Sequence, residues 1–174
     1  MPKELPLSNV VSVGETDPTE DLGLDLGVEQ KAKLLDFSKA LLQWNKRANL
    51  ISKSDENRVF SRHIVDSLSA TSFLVGNSIV DIGSGAGLPG LPLAIACPHK
   101  KFTLYERMKK RAHFMRFVIA NLGIDNAQVI EAPFEEIVSK GESFSCVVSR
   151  GVRGAEVLWP IVERAITRTG RLIV

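Results

Sequence analysis

The sequence predicts an α/β fold with a mostly parallel sheet and helices on both of its faces. From residue 76 onward, short apolar runs alternate with helical segments, which is the order that β-α units require. The first of these runs ends at Ile82 and leads into three glycines at alternate positions, Gly83, Gly85 and Gly87. A strand, a tight glycine turn and a helix in succession favour a ligand site at the carboxyl end of the sheet.

Five strands and four helices are predicted in strict alternation. The strands are expected at residues 79–82, 102–105, 127–130, 144–148 and 171–174, and the helices at 91–97, 107–122, 134–138 and 155–166. In the second of these helices, Met108, Ala112 and Met115 are expected to face inward. The chain ends inside a predicted strand, and we therefore expect that C-terminal strands of the fold are missing.

A helical N-terminal extension is predicted before the sheet. Its first helix covers 29–47, where apolar residues recur at spacings of three and four: Leu34, Phe37, Leu41, Trp44 and Ala48. This spacing favours a core position for Trp44 over an exposed stacking position. A second helix is expected over about 56–74, with Phe60, Ile64 and Leu68 on one side.

The predicted domain organisation follows from these patterns and from charge. Residues 1–28 contain six acids and one base, and we expect a disordered acidic lead there. Residues 29–174 are expected to form one domain, with a helical cap over 29–75 and a cofactor-binding sheet over 76–174. They contain 21 bases and 14 acids, a balance that favours a polyanionic partner such as nucleic acid.

The two cysteines and the lengths of the apolar runs indicate in which cellular compartment the protein is expected. Cys97 and Cys146 lie in apolar surroundings, which indicates buried thiols in a reducing compartment and neither a disulfide nor a metal site. No signal peptide is recognisable, and no apolar run reaches the roughly 18 residues of a membrane helix. The expected location is the cytoplasm, without membrane contact.

The glycine loop is compatible with two classes of cofactor. Residues Gly85–Gly90 match the dinucleotide pattern G-x-G-x-x-G, and Glu106 lies at the right distance to accept ribose hydroxyls, so an NAD(P)-dependent oxidoreductase is one interpretation. However, that pattern begins two residues after the expected end of the strand. Aligned from Gly83, the loop is instead G-x-G-x-G.

The acid in the first strand favours a cationic cofactor. Asp81 would repel a pyrophosphate and attract an amino group, and S-adenosylmethionine carries an amino acid end and a sulfonium. A strand acid before G-x-G-x-G, with a second acid after the next strand, is typical of Rossmann-like class I methyltransferases. Asp81 is then expected at the methionine end of the cofactor. Glu106 is expected at the ribose, or alternatively at the start of the helix over 107–122.

Four motifs together resemble one family, the bacterial glucose-inhibited division protein B family of small-subunit ribosomal RNA guanine-N7 methyltransferases. They are LLQWNKRANLIS (41–52), RHIVDSL (62–68), DIGSGAGLPGLPLAI (81–95) and VVSRGV (147–152). The resemblance implies S-adenosylmethionine as cofactor, and small-subunit ribosomal RNA or a ribosomal particle as substrate. The sequence leaves the oligomeric state open, with a monomer favoured. A non-catalytic RNA-binding module on the same fold is a further alternative.

The resemblance also implies positions for the cofactor. Gly83 and Leu88 would line it from the glycine loop, Phe134 and Glu135 from the adenine side, and Arg150 from the substrate entrance. The full set of cofactor candidates is Asp81, Gly83, Gly85, Gly87, Leu88, Glu106, Phe134, Glu135 and Arg150. The chain departs from the family pattern at Glu106, where many members have Asp, at Pro133, where Arg is frequent, and at Gly151, where Ala is usual.

Guanine N7 carries a free lone pair, so methylation there requires no catalytic base. His63, Asp66 and Arg150 are candidates for the mouth of the site, although His63 and Asp66 could equally be a pair on a helix surface. The candidates for RNA binding are the basic residues Lys46, Arg47, Arg62, Lys109, Lys110 and Arg111.

Overall fold

The computed structural model describes residues 19, 22–137, 141–151 and 154–174. The described elements alternate as expected: helix α1 (Val28–Ala48), α2 (Asp66–Ser69), β1 (Ser78–Ile82), α3 (Gly90–Ala96), β2 (Lys101–Tyr105), α4 (Lys109–Leu122), β3 (Ala127–Ile130), β4 (Phe144–Val148), α5 (Ala155–Val162) and β5 (Ile166–Ile173). A single turn of 3-10 helix occupies Phe134–Ile137. Val138, the last residue of the helix predicted there, lies outside the described residues.

The five strands form one parallel sheet in the order β3-β2-β1-β4-β5. The predicted fold class is therefore confirmed. β1 lies in the centre, between β2 and β4, and Ile82 at its end is level with Tyr105 at the end of β2. Connections leave β1 and β4 towards opposite sides at this point, which is where doubly wound sheets bind their ligands.

Apolar side chains cover both faces of the sheet. On one face, α1, α3 and α4 pack together, and Leu34, Phe37 and Leu41 of α1 are fully buried there. The ring centroids of Phe37 and Phe114 are 6.3 Å apart, and this contact joins α1 to α4. On the other face, Leu158 and Val162 of α5 are buried against the sheet. The two cysteines are free and buried, as predicted.

The C-terminal part differs from the prediction. The helix expected over 155–166 ends at Val162, and β5 begins at Ile166 instead of residue 171. Pro160 lies inside α5, where it removes a helical hydrogen bond. After it, Ile166 pairs with Phe144 and residues 171–173 pair with residues 146–148, and a register shift between Phe144 and Cys146 accommodates the extra residues.

The segment before the sheet also differs. The helix expected over 56–74 is broken into 3-10 turns at 53–58 and 70–73, a π-helical turn at 59–65 and the short α2. The hydroxyls of Ser67 and Ser69 donate to the main-chain carbonyls of His63 and Asp66, which competes with regular helical bonding. Ile64 and Leu68 are nevertheless buried, as expected.

Two smaller expectations are wrong. Met108 does not face inward: it is 48% exposed, because α4 begins only at Lys109 and Met108 precedes its first turn. Within the acidic lead, Leu22 and Leu24 pack against the core and Leu26 is only 7% exposed, so ordered packing begins before residue 29. The rest of that prediction, over residues 1–18, 20 and 21, lies outside the described residues. None of the described helices is both long and apolar enough to cross a bilayer.

The buried face of α1 should contribute strongly to stability. We expect Leu41→Ala to lower the free energy of unfolding by about 2–5 kcal/mol, because it removes a fully buried side chain. Leu35→Ala on the same helix is the matched control, since Leu35 is 41% exposed, and it should cost less than about 1 kcal/mol. Denaturant unfolding measures both. Equal losses would contradict the packing of α1 on the sheet.

Candidate active site

The glycine loop connects β1 to α3 across the carboxyl end of the sheet. Gly83, Gly85 and Gly87 have φ angles of +70°, +57° and +80°, a left-handed conformation that other residues adopt only with strain. The backbone N–H groups of Gly83 and Ser84 both donate to the carbonyl oxygen of Tyr105, at 2.9 and 3.0 Å. The loop is thereby fixed against the end of β2.

The glycines of the loop are required for different reasons. A Cβ atom at Gly87 would lie 2.4 Å from Cδ1 of the buried Leu91, and one at Gly90 would lie 2.6 Å from Oδ2 of Asp81. Packing inside the protein therefore accounts for these two glycines. A Cβ atom at Gly85 would approach nothing closer than the carbonyl oxygen of Gly83, at 3.8 Å. Gly85 faces open space, where a ligand could approach the backbone.

Asp81 does not occupy the position expected from the sequence. Its side chain is fully buried, and Oδ2 accepts a hydrogen bond from the backbone N–H of Gly90 at 3.0 Å. It lines neither of the pockets described below. Burial raises the pKa of Asp81 from its usual 3.8 to about 7. In this structure Asp81 holds the end of the glycine loop, because its carboxylate points under the loop and not out of the sheet.

Glu106 combines the two positions expected for it. It is only 4% exposed. One carboxylate oxygen accepts from the N–H of Gly85 at 2.9 Å, and the other accepts from the N–H of Met108 at 2.8 Å, just before α4 begins. The same side chain thus holds the glycine loop and satisfies a donor at the start of the helix. It also lines a pocket.

Two neighbouring pockets lie over this end of the sheet. The first has a volume of about 330 Å³ and is lined by the predicted residues Gly83, Glu106, Phe134 and Glu135. The second has a volume of about 280 Å³ and is lined by the predicted residues His63, Gly83, Gly85, Leu88 and Arg150. Both pockets also include Arg111. We call the two together the cofactor groove.

Arg150 is held at the second pocket by the two helix residues that the sequence placed near the mouth. Its guanidinium donates to Oδ2 of Asp66 at 2.8 Å and lies 3.3 Å from Nδ1 of His63. Nε2 of His63 lies 3.6 Å from Oδ2 of Asp55. Burial, with the positive charge of Arg150 next, lowers the pKa of His63, which favours the neutral ring that can accept a hydrogen bond from Arg150.

Seven of the nine predicted cofactor residues line the groove, and Asp81 and Gly87 do not. Arg111 was predicted only as an RNA contact. It lines both pockets, with its guanidinium 4.0 Å from the Glu106 carboxylate. Sequence analysis also missed Ser52 and Ala86 in the second pocket. The proximity of Arg111 to Glu106 could have been expected, because the two positions lie five residues apart across the start of one helix.

The other basic candidates lie in three different places. Arg62 lies outside the groove and pairs with Asp55 at 3.1 Å. Lys46, Arg47 and Lys110 converge on a different pocket between α1 and α4. Trp44 lines that pocket as well and is only partly buried, so its position is less interior than its spacing indicated. Lys109 is exposed at the start of α4.

Comparison with known proteins decides the family. A family model described as rRNA small subunit methyltransferase G matches residues 30–174. The chain belongs to this family. The resemblance drawn from the four motifs is therefore confirmed.

Curated members of the family support the match. A protein from Shewanella piezotolerans named Ribosomal RNA small subunit methyltransferase G is 42% identical over 130 residues, which cover 75% of this chain and 62% of that protein. A protein of the same name from Methylococcus capsulatus is 36% identical over 139 residues, covering 80% of this chain and 67% of that protein. The chain thus spans less than two thirds of the length of the Shewanella relative.

A solved structure supports the fold of the family. A crystal structure of a methyltransferase from Geobacter sulfurreducens superimposes with a TM-score of 0.57 at 16% sequence identity. The match covers 92% of this chain and 71% of that one. The likeness is one of fold, and it agrees with the class I methyltransferase architecture predicted from the sequence.

The packing requirement at Gly87 can be tested against a glycine without it. Gly87→Ala should destabilise the chain more than Gly123→Ala, because the new methyl group would overlap Leu91, whereas nothing lies within 4 Å of the corresponding position at Gly123. Both residues have positive φ, so the backbone strain is similar. We expect a difference of about 1–3 kcal/mol in the free energy of unfolding. Equal effects would contradict the loop geometry.

Asp81 should make stability depend on pH. Since burial raises its pKa to about 7, the folded chain keeps a proton that the unfolded chain loses above its usual value of 3.8. Stability attributable to this group therefore falls as pH rises from about 4 to about 7. Relative to Asp81→Asn, which does not titrate, the wild type should lose up to about 1.4 kcal/mol per pH unit in that interval. A relative gain with rising pH would show that the pKa is lowered instead.

Proposed function

We propose that this chain binds S-adenosylmethionine in the cofactor groove and methylates N7 of a guanine in small-subunit ribosomal RNA. The observation that carries the proposal is the pair of pockets that meet at Gly83, in a chain of the rRNA small subunit methyltransferase G family. We further propose that it acts in the cytoplasm, where buried free thiols such as Cys97 and Cys146 remain reduced.

The residues of the groove fit the proposed cofactor. Gly85 leaves open space over the backbone, as a close ligand requires. The nearly buried Glu106 carboxylate faces the first pocket, and a carboxylate after the second strand suits the hydroxyls of a ribose. Phe134 and Glu135 line the same pocket on the side assigned to the adenine. Arg150 would contact the amino acid end from the second pocket.

The proposed mechanism depends on how the cofactor and the guanine are positioned relative to each other. When bound, S-adenosylmethionine supplies a methyl group on a positively charged sulfur. The guanine N7 lone pair lies in the ring plane, so no residue of the chain has to remove a proton. Arg150, which contacts Asp66 and His63, would orient the base at the second pocket.

The sequence is also compatible with two other functions. An NAD(P)-dependent oxidoreductase is disfavoured by the family to which the chain belongs. A non-catalytic RNA-binding module is distinguished from the proposed enzyme by methyl transfer.

The guanine must be accessible to the groove, so a target in a single-stranded loop, or one flipped out of a helix, is expected.

Cofactor binding can be tested by calorimetric titration with S-adenosylmethionine and, in parallel, with NAD. We expect saturable binding of the first and none of the second. Gly85→Ala should weaken binding by about tenfold or more, because its methyl group would enter the groove. Gly123→Ala is the matched control: its φ of +58° equals that of Gly85 within a degree, and it lies at the end of α4, outside the groove.

Arg150→Ala should weaken cofactor binding as well, whereas Lys101→Ala, at the opposite end of the sheet, should not. Binding of NAD in place of S-adenosylmethionine would refute the proposed function. So would unchanged binding in both Gly85→Ala and Arg150→Ala, because the cofactor would then lie elsewhere. Transfer of a labelled methyl group to small-subunit RNA then tests the reaction itself.

A further inference from the structure

A separate pocket of about 530 Å³ opens between the end of α1 and the start of α4, and we call it the α1–α4 pocket. Its lining includes two aromatic rings and three cationic side chains: Trp44, His113, Lys46, Arg47 and Lys110. None of the described residues that line it is acidic. Its chemistry therefore differs from that of the cofactor groove, where Glu106 and Glu135 are present.

The three cations of the α1–α4 pocket lack partners within the described part of the chain. Neither Lys46, Arg47 nor Lys110 makes an ion pair or a side-chain hydrogen bond with any residue that the structure describes. Three like charges around one concave surface repel each other, and an anionic ligand would relieve that repulsion.

The position of Lys110 strengthens this argument. Lys46 and Arg47 lie in the last turn of α1, where the helix dipole favours cations. Lys110 lies in the first turn of α4, which contains no acid, and there the dipole disfavours cations. Its location is therefore not explained by helix stability. A role in binding an anion explains why a cation is present at this position.

The aromatic side chains provide a surface for a planar base. The centroid of Trp44 lies 5.5 Å from that of His113, 5.4 Å from that of Phe114 and 5.3 Å from that of Phe117. Trp44 is thus fixed among rings while it still lines the pocket. Nucleic acid bases stack on such rings, and adjacent cations hold the phosphates.

The α1–α4 pocket and the cofactor groove are lined in part by residues that are neighbours in the sequence. Lys110 lines the pocket, and the next residue, Arg111, lines both parts of the groove. Likewise Ala48 lines the pocket and Leu50 lines the groove. Consecutive Cα atoms are only about 3.8 Å apart, so one nucleic acid strand could contact both places.

We propose that the α1–α4 pocket binds a nucleotide of the single-stranded RNA segment that contains or flanks the target guanine. Lys46, Arg47 and Lys110 hold its phosphates, and its base stacks on Trp44. This inference rests on the proposed function, because it takes RNA as the substrate. It adds a second binding point for the RNA, outside the cofactor groove, and this contact positions the RNA strand.

The fluorescence of Trp44 reports directly on this pocket. The sequence has two tryptophans, so Trp159→Phe leaves Trp44 as the single emitter. An unstructured oligoribonucleotide of about twelve nucleotides is titrated into this variant, with calorimetric titration of S-adenosylmethionine on the same preparation. Site sizes of about 4–16 nucleotides are usual for single-strand binding surfaces. We expect saturable quenching of Trp44 by the RNA.

Matched double substitutions distinguish RNA binding at the α1–α4 pocket from attraction of RNA to the net positive charge of the chain. Arg47→Ala with Lys110→Ala should weaken RNA binding by about tenfold or more and reduce the salt dependence of the logarithm of affinity by about 1.4, for two lost phosphate contacts. Lys101→Ala with Arg168→Ala removes the same charge from exposed residues that lie outside the pocket, and it should change affinity by less than about twofold. Neither pair should lower the melting temperature by more than a few degrees, since all four side chains are exposed.

Equal loss of affinity in the two double variants would overturn the proposal, because binding would then follow net charge alone. RNA binding without quenching of Trp44 would also overturn it, since the base would lie elsewhere. No RNA binding by the Trp159→Phe chain would overturn it as well. None of these results concerns the cofactor: the proposed function fails separately, if S-adenosylmethionine does not bind to the same preparation.

Discussion

The arrangement of the whole site depends on the carboxylate of Glu106. Its two oxygens accept from Gly85 in the loop after β1 and from Met108 at the start of α4. One nearly buried side chain thus joins the first strand, the second strand and the helix that follows it. The loop, the first pocket and the first turn of α4 take their positions from this connection. Both oxygens of this nearly buried carboxylate accept a hydrogen bond, so neither is left without a partner in the interior.

A second buried acid lies beneath the glycine loop and accepts a hydrogen bond from its end. Asp81 binds the N–H of Gly90, and its raised pKa shows that burial dominates over the single backbone hydrogen bond and its neighbours. Glu106 and Asp81 therefore act at opposite ends of the same glycine loop, one facing the groove and one facing the core. This division explains why the loop can leave Gly85 open to a ligand while Gly87 and Gly90 are packed tightly.

The first four strands of the sheet were predicted well from the sequence, and the limits of α5 and β5 less well. Apolar runs such as 144–148 are buried on both faces of a parallel sheet, so their limits are evident from composition alone. The limits of α5 and β5 depend on pairing with β4, which residues 163–170 do not reveal by themselves. The family motifs placed Arg150 near His63 and Asp66, although nothing in their spacing could show that the three side chains touch.

The sequence does not reveal how individual side chains of the site are oriented. Asp81 was assigned to the ligand and Arg111 to the RNA surface from position along the chain. Which way each side chain points depends on the twist of the sheet and on the first turn of α4, and those are properties of the assembled fold. The α1–α4 pocket was beyond prediction for the same reason, because Trp44 and His113 are far apart in sequence and meet only when α1 packs on α4.

The proposed cofactor position lies across Gly83 and Gly85, between the two pockets. A nitrogen-15 NMR titration of the chain with S-adenosylhomocysteine tests this position most directly, because it follows each backbone amide separately. The amides of Gly83, Gly85 and Phe134 should shift most, while that of Gly123 should stay unchanged. Shifts concentrated at Lys46, Arg47 and Lys110, with the glycine loop unchanged, would contradict this position.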